Sequence, residues 1–206
     1  EDYIEVFQIQ DDNSQRAKQI TNALMKNDRI KARQILGKKS DWGNIIEYYI
    51  LKLCILNQSH ETDEFTPDQV EAINYLVDYI FKIDTLYIRD FVVIEILLVY
   101  KVQCFELKFL EYLEKIIVKG LEETKYVTYN FPRRYATTGM YLARTYSRYG
   151  YYDKAEKLIY KLKLHISEKF PHEYSIFPLF HLNIYEVYNL LRQNNPKAIE
   201  LANTVL

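Results

Sequence analysis

The sequence contains little glycine and little proline. Each accounts for 5 of the 206 residues, below the usual shares of about 7% and about 5%. This shortage argues against a β-sandwich, a glycine-rich phosphate-binding loop and a flexible linker, because all three depend on these residues. We therefore expect long helices, and the length of the chain is typical of one domain with a single core.

The sequence also lacks an excess of charge of one sign. It has 27 basic and 28 acidic residues, so nothing in the balance supplies the phosphate neutralisation that nucleic-acid binding needs. The most apolar stretch, 91–100, is interrupted by Glu95 and is too short to span a bilayer. Residues 1–10 lack the basic and apolar regions of a secretory signal. We predict a soluble, cytoplasmic protein with no membrane partner.

Cysteine is scarce, and the two cysteines show no ligand spacing. Cys54 and Cys104 lie in separate apolar runs and form no CxxC motif. We predict two buried thiols in a reduced compartment, in preference to a metal knuckle or a redox pair.

Motifs of catalysis are absent from the sequence. It contains no GxSxG, GxxxxGK(S/T), HExxH or GxGxxG pattern. The histidines have no helical metal spacing, and they are His60, His165, His172 and His181. We interpret His165 and His172 as a solvated pair. Acidic residues beside lysines indicate a solvated face with i,i+4 pairs, and they are Glu111, Glu114, Glu122 and Glu123. We predict no enzyme activity, no cofactor and no metal.

Residues 139–159 carry the most informative pattern in the chain. The order and spacing of a tetratricopeptide repeat are matched by Leu142, Ala143, Tyr146, Gly150, Tyr152, Ala155 and Ile159. Ala143 and Ala155 are small enough for paired helices to approach closely, and Gly150 suits the turn that ends the first helix. The large aromatic expected near the start of that helix is replaced by Gly139.

Weaker copies recur at intervals of roughly 40 residues. The equivalent positions are Ala32, Ala72, Leu113, Ala155 and Ala198. The pattern predicts first helices at 14–26, 43–57, 87–103, 133–149 and 175–192, and second helices at 28–36, 67–83, 106–123, 152–169 and 196–206. The predicted fold is all-α, a right-handed superhelix of about five tetratricopeptide-like hairpins. Residues 1–12 would be a leader from a missing N-terminal domain, and 13–206 one repeat domain.

The final helix has no polar cap. Terminal repeats normally need one, so we expect Leu201, Val205 and Leu206 to meet a missing C-terminal segment or a second subunit.

The first helices of such a stack line its concave surface, where packing leaves side chains free for a ligand. In the best repeat the candidates are Thr137, Met140, Arg144, Ser147 and Arg148, and on the flanking first helices they are Arg89, Tyr100, Phe180 and Asn183. Arg144 is the first choice, because a guanidinium can hold a peptide carboxylate bidentately. Salt bridges from Arg144 and Arg148 to neighbouring helices are the alternative. The Asn183 amide can pair with both groups of an extended peptide backbone.

One segment suggests a family. Residues 72–91, which include Tyr75-Leu76, resemble the "L…YL…W…E" stretch in the C-terminal pheromone-sensing domain of the Rgg/MutR regulators. These regulators belong with PlcR and PrgX to the peptide-responsive RRNPP group of Gram-positive bacteria. Leu86-Tyr87 stands in place of the tryptophan, and Asp90 or Glu95 stands for the acidic residue.

The resemblance implies a transcription regulator used in quorum sensing. It would be a cytoplasmic homodimer whose concave groove takes an imported short peptide, and a helix-turn-helix domain missing upstream would bind DNA. The alternative is a tetratricopeptide scaffold that docks a protein partner. Such scaffolds clamp a C-terminal carboxylate with two lysines and two asparagines on successive first helices, a pattern that this sequence lacks.

Overall fold

The structure, a computed structural model, describes residues 12–56, 65–84, 86–99, 106–123, 130–170 and 172–205. Across these ranges it contains ten α-helices, one short 3-10 helix (Lys39–Asp41) and no strand. The helices are α1 (Asp12–Met25), α2 (Arg29–Leu36), α3 (Ile45–Leu56), α4 (Pro67–Ile80), α5 (Ile88–Val99), α6 (Leu107–Glu123), α7 (Asn130–Arg148), α8 (Tyr152–Lys169), α9 (His172–Arg192) and α10 (Lys197–Val205). The all-α prediction is confirmed. Among the described helices, none has the length and apolarity to cross a membrane.

The chain divides into two compact units, one ending at Tyr79 and the other beginning at Ile80. In the first unit α1 packs against α2, and α3 contacts both. The Trp42 indole, between α2 and α3, donates a hydrogen bond of 2.8 Å to the Leu36 carbonyl at the end of α2. Tyr49 stacks on Tyr75 with 4.4 Å between ring centroids, which joins α3 to α4.

In the second unit α7 is the central helix, packing against α5, α6, α8 and α9, while α9 also packs against α8 and α10. The close approach of α7 and α8 depends on small residues. A Cβ added to Gly139 would lie 2.9 Å from the Leu162 methyl groups, and Ala143 and Ala155 are fully buried. Gly139 therefore stands where the sequence pattern expected an aromatic because α8 leaves no room for one.

The same turn ends three of the helices. Asn27, Gly150 and Asn194 all have positive φ, at 57°, 80° and 53°. The amide that follows each of them donates to a carbonyl five residues back: Asp28 to Ala23, Tyr151 to Tyr146 and Asn195 to Leu190, at 2.8, 2.9 and 3.0 Å. This pattern is the Schellman motif, which uses a left-handed residue to reverse the chain. The turn predicted at Gly150 is thus repeated at both ends of the chain.

The bounds of the predicted second helices match those of the observed helices closely. All five equivalent positions of the repeat are buried: Ala32, Ala72, Leu113, Ala155 and Ala198. A reciprocal cap at 66–69 starts α4. The Thr66 amide donates to the Gln69 side chain at 2.8 Å, and the Gln69 amide donates to the Thr66 hydroxyl at 3.3 Å. Pro67 occupies the first helical position, where its missing N–H costs nothing.

The boundaries of the first helices differ more. α7 begins at Asn130, earlier than predicted, because Pro132 falls in the first turn, where amides have no helical partner. α9 begins at His172 and continues through Pro178. α3 begins at Ile45, since the Asn44 side chain accepts from the Glu47 amide at 3.3 Å. Residues 100–103 of the predicted third first helix lie outside the described residues.

At the end of α10, Leu201 and Val205 are half-buried, whereas Leu206 lies outside the described residues. The exposed large apolar residue of this helix is Ile199, which the sequence pattern did not single out.

Candidate functional site

One side of α7 remains open to solvent. Thr137, Tyr141, Arg144 and Arg148 recur every three or four residues, so they form one stripe along the helix. All four are half-buried. The described residues on the other sides of α7 are buried against α5, α6, α8 and α9. We call these four residues the α7 stripe.

The two arginines of the α7 stripe lie beside Tyr185 of α9. Burial raises the pKa of the Tyr185 hydroxyl, and the positive charge of Arg144, with a smaller effect of Arg148, opposes that rise. The neighbouring Tyr141 phenol raises the pKa of Tyr185 further, in the same direction as burial. The site thus combines two guanidinium groups with two phenols in a partly desolvated position.

Neither arginine has a carboxylate partner within 4 Å among the residues that the structure describes. Other charges of the second unit are paired: Arg134 lies 3.3 Å from Glu95, and Lys163 contacts Glu186. The salt-bridge alternative for Arg144 and Arg148 therefore has no support in the described part of the chain. Two half-buried cations with no counter-charge among these residues favour an anionic ligand, because pairing offsets the cost of their desolvation.

Arg192 extends this cationic edge. Its Nη2 donates to the Arg148 carbonyl at 3.4 Å, which holds the end of α9 against the end of α7. Arg192 is exposed, and it too has no ion pair among the described residues.

Two of the predicted ligand residues on α7 are inside the protein. Met140 is 4% exposed and Ser147 is 1% exposed, so neither can contact a ligand in this conformation. With 3.6 residues per turn, both positions fall beside the α7 stripe on the packed side of the helix. Their assignment to the binding surface is therefore corrected. The Ser147 hydroxyl has no hydrogen-bond partner in the described part of the chain.

The remaining predicted residues lie on the neighbouring helices. On α9, Phe180 is 41% exposed, and Asn183 is half-buried. Arg89 is exposed in the first turn of α5. Tyr100 lies outside the described residues. Since α5 and α9 both pack against α7, the described candidates belong to adjacent helices of one unit.

Sequence reasoning missed Tyr141 and Tyr185. Tyr141 precedes Arg144 by three residues, so the helical period alone could have added it to the α7 stripe. Nothing in the sequence pairs Tyr185 with Arg144, because that contact joins α9 to α7.

The two candidates for the acidic position of the family pattern, Asp90 and Glu95, have different surroundings. Asp90 is 1% exposed and accepts from the Tyr87 amide at 2.8 Å, so it caps the start of α5. Glu95 contacts Arg134 and accepts from the Thr138 hydroxyl at 3.2 Å. Burial raises the pKa of Glu95, and the Thr138 hydrogen bond opposes that rise.

Comparison of the chain with protein-family models, curated proteins and solved structures finds no match. Any function assigned to the chain therefore depends on the geometry of its own residues.

A second depression, of about 450 Å³, lies between α6 and α8. Two of its three acidic residues are paired with lysines of α8: Glu111 with Lys154 at 2.8 Å and Glu114 with Lys161 at 3.3 Å. These pairs join two helices, whereas the sequence pattern predicted pairs within one; Glu123 with Lys119 is of the predicted kind. The described residues include no group of three or more His, Cys, Asp and Glu placed to hold a metal.

Cys54 is a free, half-buried thiol, and burial raises its pKa. Cys104 and His60 lie outside the described residues, as does the side chain of His172. The predicted pair of His165 and His172 is therefore not described.

Proposed function

We propose that this chain is the ligand-sensing domain of a bacterial transcription regulator and binds a short signalling peptide on the face formed by α5, α7 and α9. In this proposal the hairpins form a tetratricopeptide-like superhelix, and its first helices provide the concave surface. The α7 stripe is the centre of the site.

The observation that carries the proposal is the pair of Arg144 and Arg148, half-buried and without a carboxylate among the described residues. A peptide with an acidic side chain or a free C-terminal carboxylate would pair with these two positive charges. Tyr141 and Tyr185 would flank the carboxylate, because phenols combine an apolar ring with a hydrogen-bonding tip. Apolar side chains of the peptide would lie on Val92 and Val99 of α5, which are half-buried and exposed, and on the aromatic residues of α9.

Signalling in this proposal needs no chemistry in the groove. The peptide would bind one arrangement of a homodimer more tightly than another, and the difference in affinity would set the activity of a helix-turn-helix domain upstream. Docking of a protein partner by a scaffold is the competing function, and it uses the same face.

The test is isothermal titration calorimetry with acidic peptides of about eight residues, each made with a free and with an amidated C-terminus. Arg144→Ala should weaken binding by about tenfold or more, because hydrogen bonds to charged groups contribute about 1.5–3 kcal/mol. Arg33→Ala is the matched control, since Arg33 is an exposed arginine of α2. If Arg144→Ala leaves the affinity unchanged, the peptide does not bind at this position.

A longer form of the protein that carries the upstream domain would separate sensing from docking. Promoter DNA binding measured with and without peptide should change for a sensor. A scaffold would bind the peptide with no effect on DNA.

A further inference from the structure

An exposed apolar seam runs along α9. Four of its members are large and exposed: Phe177 at 56%, Phe180 at 41%, Ile184 at 40% and Leu191 at 55%. Val187, which is half-buried, completes the series. The intervals alternate between three and four residues, which is the a/d spacing of a heptad. We call these five residues the α9 seam, and at 1.5 Å per residue it is about 21 Å long.

The opposite side of α9 is the one that packs into the unit. Ser175, Leu182 and Asn189 are buried there, and the Asn189 amide donates to the Tyr152 carbonyl at 3.2 Å. The α9 seam is therefore directed away from the core. A contiguous set of exposed aromatic and aliphatic side chains of this size marks an interaction surface.

Two aromatic members of the seam are held together by a histidine. The His181 ring lies 4.1 Å from the Phe177 ring and 5.8 Å from the Phe180 ring, measured between centroids. His181 Nδ1 is 3.0 Å from the Phe177 carbonyl oxygen. Side chains ordered in advance lose less entropy when a partner binds.

One edge of the α9 seam is cationic. Tyr185, beside Arg144, marks the edge that faces α7, and Tyr188 follows it one turn later. Arg144, Arg148 and Arg192 all lie along this edge. The positions on the other edge, Asn183 and Leu190, are uncharged.

We propose that the α9 seam binds an amphipathic α-helix of about 15 residues that carries apolar side chains at heptad spacing and acidic side chains along the edge facing α7. This inference rests on the proposed function and specifies the peptide as helical and acidic. A helix is favoured because heptad-spaced residues receive the a and d residues of another helix. Acidic side chains on one edge would pair with the three arginines.

A second copy of α9 is a poorer match for the same surface. Glu186 is the acidic residue among the described side chains of α9, and it already contacts Lys163 of α8. A copy of this helix would therefore bring at most one further carboxylate, that of Glu173, to the three arginines Arg144, Arg148 and Arg192. Charge complementarity selects an acidic partner helix over self-association.

The test uses three fluorescein-labelled peptides of 18 residues and fluorescence anisotropy. The first has leucine at a and d, glutamate at e and alanine elsewhere. The second has lysine in place of glutamate, and the third has two central alanines replaced by proline, which breaks the helix. The first should bind the wild-type chain at least tenfold more tightly than either of the others.

Variants locate the binding surface. Ile184→Glu and Arg144→Gln should each weaken binding of the first peptide by tenfold or more. Ile199→Glu changes an exposed isoleucine of α10 in the same way and should leave binding unchanged. Phe180→Ser is a second seam variant, to be used if circular dichroism shows that Ile184→Glu does not fold.

The outcomes separate this inference from the proposed function. If the proline peptide binds as tightly as the first and binding still requires Arg144, the ligand is extended, so the helix proposal is wrong and the proposed function stands. If neither these nor the shorter acidic peptides bind, both are wrong. If sedimentation equilibrium shows a dimer that Ile184→Glu converts to monomer, the seam is a self-interface and the proposal is overturned.

Discussion

The Tyr146 hydroxyl lies 3.0 Å from Glu114 Oε2, although the Tyr146 ring is fully buried. The phenol donates this hydrogen bond from α7 to α6. Burial, followed by the negative charge of Glu114, raises the pKa of Tyr146, so the hydroxyl stays protonated and keeps its role as donor. Lys161 of α8 contacts the other oxygen of the same carboxylate, and Glu114 thus joins three helices.

Tyr146→Phe removes the hydroxyl and keeps the ring. We expect a loss of about 1–2 kcal/mol in the free energy of unfolding, because the lost hydrogen bond has a charged acceptor that retains Lys161 as its partner. Urea unfolding monitored by circular dichroism measures the change. Tyr160→Phe alters an exposed tyrosine and should stay within about 0.5 kcal/mol of wild type. Equal effects of the two substitutions would argue against the hydrogen bond.

Gly120→Ala should destabilise the second unit, although alanine is the better helix former. A Cβ at Gly120 would overlap the Tyr135 ring, and that ring is packed edge-on against Phe91 at 4.7 Å. Overpacking costs about 1–3 kcal/mol, against a gain of about 1 kcal/mol in helix propensity. We expect a net loss of about 1 kcal/mol in urea unfolding.

Gly139→Ala provides the comparison. The nearest atoms there are the ends of the flexible Leu162 side chain, at 2.9 Å, so the loss should be smaller than for Gly120→Ala. The reverse order would mean that Tyr135 moves more easily than Leu162.

The left-handed residue at the end of α9 gives a backbone test. Asn194→Ala should cost about 1 kcal/mol, because alanine at positive φ is strained. Asn194→Gly should be neutral or slightly stabilising, because glycine adopts this conformation freely. Thermal unfolding of the two variants measures the difference. If alanine and glycine behave alike, the turn is not a determinant of stability.

Glu95 gives a dependence on pH. Its pKa is raised from 4.5 in the folded protein, so the folded state holds this proton more tightly than the unfolded state does. The corresponding stability is fully present below 4.5 and is lost as pH rises through the folded pKa. We expect the wild type to gain stability relative to Glu95→Gln as pH falls from neutral towards 4.5.

Subtracting the variant from the wild type removes the contribution of other titrating groups, and chemical denaturation at a series of pH values supplies both curves. A difference that shrinks as pH falls would show that the ion pair with Arg134 outweighs burial.

Local sequence signals predicted much of the fold. Apolar periodicity located the helices, and the turn at Gly150 was recognisable because the physics of turns acts within a few residues. The same locality explains the errors. Met140 and Ser147 were placed on the ligand face because the sequence does not show which sides of α7 pack against neighbouring helices.

The pairing of charges shows the same limit. Glu111 and Glu114 have lysines near them in sequence, so pairs within α6 were expected. The structure pairs them with Lys154 and Lys161 instead, since the packing of α8 against α6 brings those ammonium groups closer. Contacts across helices, including that of Tyr185 with Arg144, have no local signature.

The Schellman turns at Asn27, Gly150 and Asn194 have a consequence for how the chain acquires its structure. Each turn is closed by hydrogen bonds between residues at most five apart, so a hairpin can nucleate without waiting for distant segments. Short sequence separation lowers the entropy lost in forming contacts, and chains of this kind fold rapidly. During synthesis, the hairpin at Asn27 can close while the one at Asn194 has yet to leave the ribosome.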